Sequence, residues 1–169
     1  MAVVAMEEAL IKQVADYNMI RWLERADYER VLDLMILFAE ETGIKDLQYD
    51  TYDKEQGRRV LLRCEKAGVS LVATTEKGEV VGFLLSMRVQ DIWIPDVIRL
   101  REMAWYVLPA YRGTSIGARL FFAYVNQAEK LLERGEIRGY TMTKLTSSSD
   151  FNYEKRGMRK IEETYLKEA

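Results

Sequence analysis

The stretch from Ile98 to Arg134 limits the fold more than any other, because two incompatible local patterns meet inside it. Residues Ile98 to Val107 read as a strand that ends at Pro109, since proline has no amide to give to a ladder. From Ser115 to Arg134, Ile116, Leu120, Tyr124, Ala128 and Leu131 fall on one helical face, and Gly135 stops the run. A strand must therefore hand over to a long helix through a loop of small residues, Gly113-Thr114-Ser115. Such a junction suits an anion. The first amides of a helix lack partners within it, the helix dipole adds partial positive charge, and small residues let a phosphate approach the backbone. Arg112 adds charge at the entrance.

The flanking segments supply the rest of a single domain. Residues 1–18 carry a helix-like pattern (Met6, Leu10, Ile11, Val14, Tyr17) and read as an N-terminal helical extension, as an upstream start, a docking helix or a dimer contact. The domain, residues 19–169, opens on a strand-like stretch, Met19 to Leu23. Asp27 to Glu41 forms an amphipathic helix through Val31, Leu34, Met35 and Phe38, capped by Asp27 and stopped by Gly43. A second helix runs from about Thr51 to Lys66. Ser70 to Thr75 and Glu79 to Met87 flank the turn Glu76-Lys77-Gly78 and make a hairpin. After the long helix come a strand at Gly139 to Leu145, a short helix at Ser147 to Lys155 and a final strand at Lys160 to Leu166. This order predicts an α+β fold, one mixed sheet with helices on both faces.

Composition removes several chemistries. The chain has no histidine, which excludes Ser/His/Asp and Cys/His triads, histidine-ligated zinc and the usual neutral-pH proton shuttle. Any acid or base must be carboxylate, tyrosine, lysine or water, and no metal site is expected. The single cysteine, Cys64, lies in a helical run with nothing to activate it and reads as a small buried hydrophobe. Net charge is −2 with the signs interleaved, which leaves no footprint for nucleic acid. The longest apolar runs, such as Val80 to Met87, are too short to cross a bilayer, and no basic segment precedes an apolar one at the N-terminus, so a cytoplasmic protein without membrane contact is expected.

Two motifs carry a family resemblance. The string Val107-Leu108-Pro109-Ala110-Tyr111-Arg112-Gly113-Thr114-Ser115-Ile116-Gly117-Ala118 resembles the coenzyme A loop of the GNAT superfamily of N-acetyltransferases, with Ser115 where the family usually has a glycine. Downstream, Asn152-Tyr153-Glu154-Lys155-Arg156-Gly157-Met158 resembles the family's Tyr-Glu-Lys-x-Gly-Phe segment, with Thr146 in place of a common asparagine and Met158 in place of phenylalanine. The resemblance spans about Met19 to Lys167 and implies a mostly antiparallel mixed sheet. It also implies acetyl-CoA as co-substrate, held by Val107, Leu108, Arg112, Gly113, Thr114, Ser115, Ile116, Gly117, Ala118 and Thr146. The implied reaction is direct transfer of the acetyl group to a primary amine in a ternary complex.

In that scheme Tyr153 protonates the departing thiolate, Glu102 takes a proton from the amine through water, and amides near Val107 and Leu108 face the thioester carbonyl. The residues alone leave alternatives open: Tyr153 as a core tyrosine, and Glu102 as a surface group paired with Arg99 or Arg101. The family places its acceptor between two loops. Here these hold Tyr49, Asp50, Tyr52 and Asp53, and Asp91, Trp93 and Asp96, which suit a cationic amine such as a small amine, a lysine or a protein N-terminus. A noncatalytic acyl-CoA-binding or assembly protein is the alternative, as is an enzyme acting on a nucleic acid amine, which the acidic loops disfavour. The final strand would let two copies pair about a two-fold axis.

Overall fold

The computed structural model describes residues 19–44, 53–145, 148 and 151–167. The N-terminal extension and most of the first acceptor loop, with Tyr49, Asp50 and Tyr52, lie outside them. Five strands form one sheet in chain order: β1 (Ile20–Trp22), β2 (Leu71–Thr74), β3 (Val80–Gln90), β4 (Ile98–Val107) and β5 (Tyr140–Thr141). Neighbours pair antiparallel except β4 and β5, which are parallel. The parallel pair follows from the connection, since the helix between these strands returns the chain to the end of the sheet where β4 began.

Helices cover both faces, as the order of elements requires. Helices α1 (Tyr28–Thr42) and α2 (Lys54–Ala67) lay Val31, Leu34, Leu61 and Cys64 on the face built from Val72, Phe83, Leu85, Ala104 and Tyr106. Helix α3 (Ile116–Glu133) lays Leu120, Tyr124 and Ala128 on the other, against Leu71, Ala73, Leu84, Leu100 and Val107. The two cores share the sheet, so each strand residue serves one side or the other by its alternation.

Local chemistry departs from the sequence reading in four places. Asp27 does not cap α1 with its side chain; its carboxylate instead takes both terminal nitrogens of Arg21, each at 2.7 Å, and the Glu24 amide at 2.9 Å, which ties β1 to the start of the helix. The strand expected at Gly139 to Leu145 is paired only at Tyr140 and Thr141. The short helix expected at Ser147 to Lys155 is a single 3₁₀ turn at Glu154–Arg156, with Ser147, Ser149 and Asp150 outside the described residues. The final strand at Lys160 to Leu166 does not form. Ile161, Tyr165 and Leu166 are exposed there, and no described main chain pairs with the segment. The pairing of two copies expected through that segment therefore has no described strand to carry it.

One glycine is fixed by contact alone. Gly68, after α2, lies so close to β3 that an added Cβ would sit 1.7 Å from the Ser86 carbonyl oxygen. Gly68→Ala should force strand and helix apart and cost about 2 kcal/mol or more, enough to lower the thermal midpoint by roughly 5 °C. Gly139→Ala, which meets nothing within 4 Å, should leave it nearly unchanged. Equal melting curves for the two variants would show that the α2–β3 contact is looser than described.

Candidate active site

A bulge in β4 places the first chemical group. Leu85 faces Ala104 and Ser86 faces Glu102 across the ladder, so Met103 is an extra residue with no opposite number. Ahead of the bulge Leu100 points into the α3 core; beyond it Ala104 and Tyr106 point into the opposite core. Glu102 keeps the phase of Leu100 and is buried on the α3 side at 5% exposure, where its charge is felt by Tyr124 and Tyr153. Strict alternation would have put Glu102 on the same face as Ala104.

The parting of β5 from β4 supplies the opening. Tyr140 pairs with Leu100 and Thr141 with Arg101, and there the ladder stops. The next main-chain donor that reaches β4, the amide of Thr143, goes to the Glu102 carboxylate at 2.9 Å. From Glu102 to Val107, β4 has β3 on one edge and no described strand on the other. Along such a strand alternate residues turn their amides toward each edge. The Leu108 amide binds the Val81 carbonyl at 2.9 Å, so it is spent on the sheet and cannot face a thioester. Val107, one residue earlier, turns its main-chain groups toward the open edge.

Burial governs the ionisation of Glu102. It pushes the carboxyl from 4.5 to about 7, against the smaller downward pull of hydrogen bonds from the Thr143 amide and hydroxyl and of the Arg101 charge. The surface ion pair considered for this residue is absent: Arg99 binds Asp91 at 2.6 Å instead. Tyr153 is half-buried, and burial together with the Glu102 charge pushes its phenol up to about 12, so it keeps its proton at neutral pH. Its ring rests on Phe151 at 5.1 Å and Phe121 at 5.9 Å, while Phe151 meets Trp105 of β4 edge-on at 5.6 Å. An aromatic cluster thus joins the C-terminal segment to α3 and to the strand bearing Glu102.

At the head of the opening lies the loop. A 3₁₀ turn at Pro109–Tyr111 leads to Gly113, whose φ of 79° is a left-handed conformation that glycine adopts without strain. Thr114 rather than Ser115 secures the helix start, its hydroxyl donating to the Tyr111 carbonyl at 2.6 Å and accepting from the Ile116 amide at 3.3 Å. Among the described residues, the amides of Gly113, Thr114, Ser115, Gly117 and Ala118 have no acceptor. Gly117 faces Trp105, whose ring a Cβ would meet at 3.8 Å. These amides, at the positive end of an eighteen-residue helix, fit the diphosphate of coenzyme A. The Arg112 side chain is not among them, since it is folded back onto Val107 and Glu41. Thr146 lies outside the described residues.

Two of the acceptor-side carboxylates, Asp91 and Asp53, have structural employment. Asp91 accepts the amides of Trp93 and Ile94 at 2.9 and 3.0 Å beside its Arg99 partner, and Asp53 caps α2 by accepting from Glu55 and Gln56. Asp96 and Trp93 stand exposed, Trp93 at 86%. Cys64 is wholly buried, with its thiol pushed up to about 11 by desolvation, which leaves it unreactive. Three contributors escaped the sequence reading: Thr143, Glu41 and the aromatic pair Trp105 and Phe151. Only the pair left a signal, two residues before Val107 and two before Tyr153 respectively.

Known proteins share this architecture. No curated protein matches the chain, but solved structures do. An acetyltransferase of Trypanosoma brucei superimposes with a TM-score of 0.61 at 19% identity, covering 89% of this chain and 98% of that one. A predicted acetyltransferase of Clostridium acetobutylicum, solved with acetyl-CoA, gives 0.66 at 13% identity, covering 87% and 93%. A ribosomal-protein-alanine N-acetyltransferase of Brucella melitensis biovar Abortus 2308 gives 0.57 at 17%, covering 87% and 95%. At these identities the likeness establishes the fold, a mixed, mostly antiparallel five-stranded sheet flanked by helices. The family itself is established by sequence: the profile of the Acetyltransferase (GNAT) family matches residues 17–158, and the chain belongs to that family.

Proposed function

We propose that the protein is an acetyl-CoA-dependent N-acetyltransferase that moves the acetyl group onto a primary amine directly, within a ternary complex. One observation carries the reading: the amides of Gly113, Thr114, Ser115, Gly117 and Ala118, without an acceptor among the described residues, stand at the end of the same open β4 edge that bears Glu102. Acetyl-CoA has the complementary parts. Its diphosphate would meet the loop amides, and its amide-bearing arm would lie along β4, where Val107 offers a main-chain donor toward the thioester carbonyl. Gly113, Thr114, Ser115, Ile116, Gly117 and Ala118 would hold the cofactor through backbone, with Val107 on the thioester.

Three proton and charge steps then need owners. Glu102, as carboxylate, takes the proton of an ammonium acceptor through water, so that the amine lone pair attacks the thioester carbon. The Val107 amide stabilises the oxyanion that forms. As the carbon–sulfur bond breaks, Tyr153 gives its proton to the sulfur, the nitrogen sheds its second proton through water to the phenolate so formed, and the products are the N-acetyl amide and free coenzyme A. The acceptor is a small amine or a protein amine. Structural neighbours named as ribosomal-protein-alanine and aminoglycoside acetyltransferases bring both classes to this fold.

Calorimetry with acetyl-CoA should show one site, and Gly117→Glu should abolish it by placing a carboxylate among the phosphate-facing amides; affinity that survives would displace the site from this loop. Turnover, followed as thiol release across an amine panel, should rise with pH through about 7 as Glu102 ionises. Stability should run the other way. Because the fold raises this carboxyl from 4.5 to about 7, its contribution is full below 4.5 and is lost as pH climbs through 7, a change on the order of 3 kcal/mol. Glu102→Gln should flatten both profiles, and a pH dependence that persists in this variant would remove Glu102 as the base. Tyr153→Phe should cut kcat about 100-fold with little change in acetyl-CoA affinity. Equal rates in the two proteins would assign the sulfur's proton to another donor. Binding without turnover by any amine would favour the noncatalytic acyl-CoA-binding protein.

A further inference from the structure

The side chain of Arg112 is engaged on three sides. Its Nε donates to the Val107 carbonyl at 2.8 Å, one terminal nitrogen reaches both oxygens of Glu41 at 3.0 and 2.7 Å, and the guanidinium lies over the Tyr106 ring at 5.1 Å. Tyr106, itself 4% exposed, donates its hydroxyl to the same Glu41 carboxylate at 2.8 Å. An isolated exposed ion pair is worth little, but this one is not isolated. A buried phenol fixes the carboxylate, and a main-chain carbonyl fixes the guanidinium. The contacts close a ring from Val107, at the end of β4, to Arg112, at the mouth of the loop, with the turn at Pro109–Tyr111 inside it. Glu41 belongs to the last turn of α1 and comes from the far side of the sheet.

We propose that Glu41 is a positioning residue: it holds Arg112 against Val107, and so fixes the loop in the shape in which the amides of Gly113 to Ala118, and not the guanidinium, receive the diphosphate. The inference rests on the proposed binding of acetyl-CoA at this loop. Its chemistry is that of the planar fork. A guanidinium can bind a carbonyl and a carboxylate at once and stack on a phenol, which an ammonium cannot do. Neutralising Glu41 also keeps an unpaired negative charge away from a site meant for an anion.

The decisive variant is Glu41→Gln, because the two roles for Arg112 predict opposite signs. If Arg112 is a brace, Glu41→Gln weakens acetyl-CoA binding by about 3- to 10-fold and raises KM for acetyl-CoA more than it lowers kcat. Arg112→Lys then fails as badly as Arg112→Ala, and the double variant Glu41→Gln/Arg112→Ala is no worse than Arg112→Ala alone. If Arg112 is a phosphate ligand restrained by Glu41, Glu41→Gln tightens binding and Arg112→Lys retains most of it; either result overturns the proposal. Unchanged affinity in Glu41→Gln overturns it too. A readout free of coenzyme A separates this from the functional reading. In ¹⁵N spectra of the ligand-free protein, the amides of Gly113 to Ala118 should shift in Glu41→Gln with no change in thermal midpoint. If they do not move, the brace is refuted even where acetyl-CoA binds; if they move in a protein that binds no acetyl-CoA, the functional reading fails and the brace stands.

Discussion

Strand β5 gives up its pairing with β4 after Thr141, and the consequences of that parting run through the molecule. Main-chain amides and carbonyls are obligatory hydrogen-bonding groups, and a sheet normally satisfies them from both edges. Between Glu102 and Val107 one edge has no strand beside it among the described residues. The bulge at Met103 belongs to the same device, since an added residue bends and twists the strand where its neighbour departs. It also returns Glu102 to the side of the sheet that faces α3 and Tyr153.

The ionisation of the site is a contest in which burial wins. Glu102 accepts hydrogen bonds from Thr143 and lies within the field of Arg101, both of which favour the charged form, yet desolvation leaves its carboxyl near neutrality. A group balanced at that point can exchange a proton with an amine at working pH, which a freely solvated glutamate, already ionised, does poorly. Tyr153 feels burial and the same negative neighbour, and both push its phenol upward. Two groups thus stand poised in opposite senses, one able to accept a proton and the other holding its own. The chain has no histidine with which to perform both tasks.

The start of helix α3 follows from different physics. Helix α3 begins among residues small enough to leave its first amides uncovered, and Gly113 turns the chain at positive φ. Partial positive charge at this end is supplied by the backbone, while Arg112 is paired with Glu41 and stacked on Tyr106. The aromatic cluster of Trp105, Phe121, Phe151 and Tyr153 fills the neighbouring space and lies against Gly117, where an added Cβ would meet the Trp105 ring at an ordinary contact distance of 3.8 Å.

Local pattern sufficed for much of this. The hairpin of β2 and β3, the amphipathic faces of α1 and α3, the stop at Pro109 and the small-residue loop all follow from apolar periodicity and backbone freedom, which neighbouring residues carry among themselves. Two motifs in the right order were enough to suggest the family. The sequence could not reveal that Met103 is a bulge, since alternation reads continuously through it, nor that β5 ends after Thr141, since Met142 to Leu145 have the composition of a strand. For the same reason Lys160 to Leu166 looked like a strand: β-propensity describes a residue's fit to a ladder and says nothing of whether a partner is present. The surroundings of Arg112, paired with Glu41, and of Glu102, buried beside Thr143, were decided by residues distant along the chain. An ionisable side chain takes its role from the dielectric and the partners around it, and only the packed tertiary structure sets those.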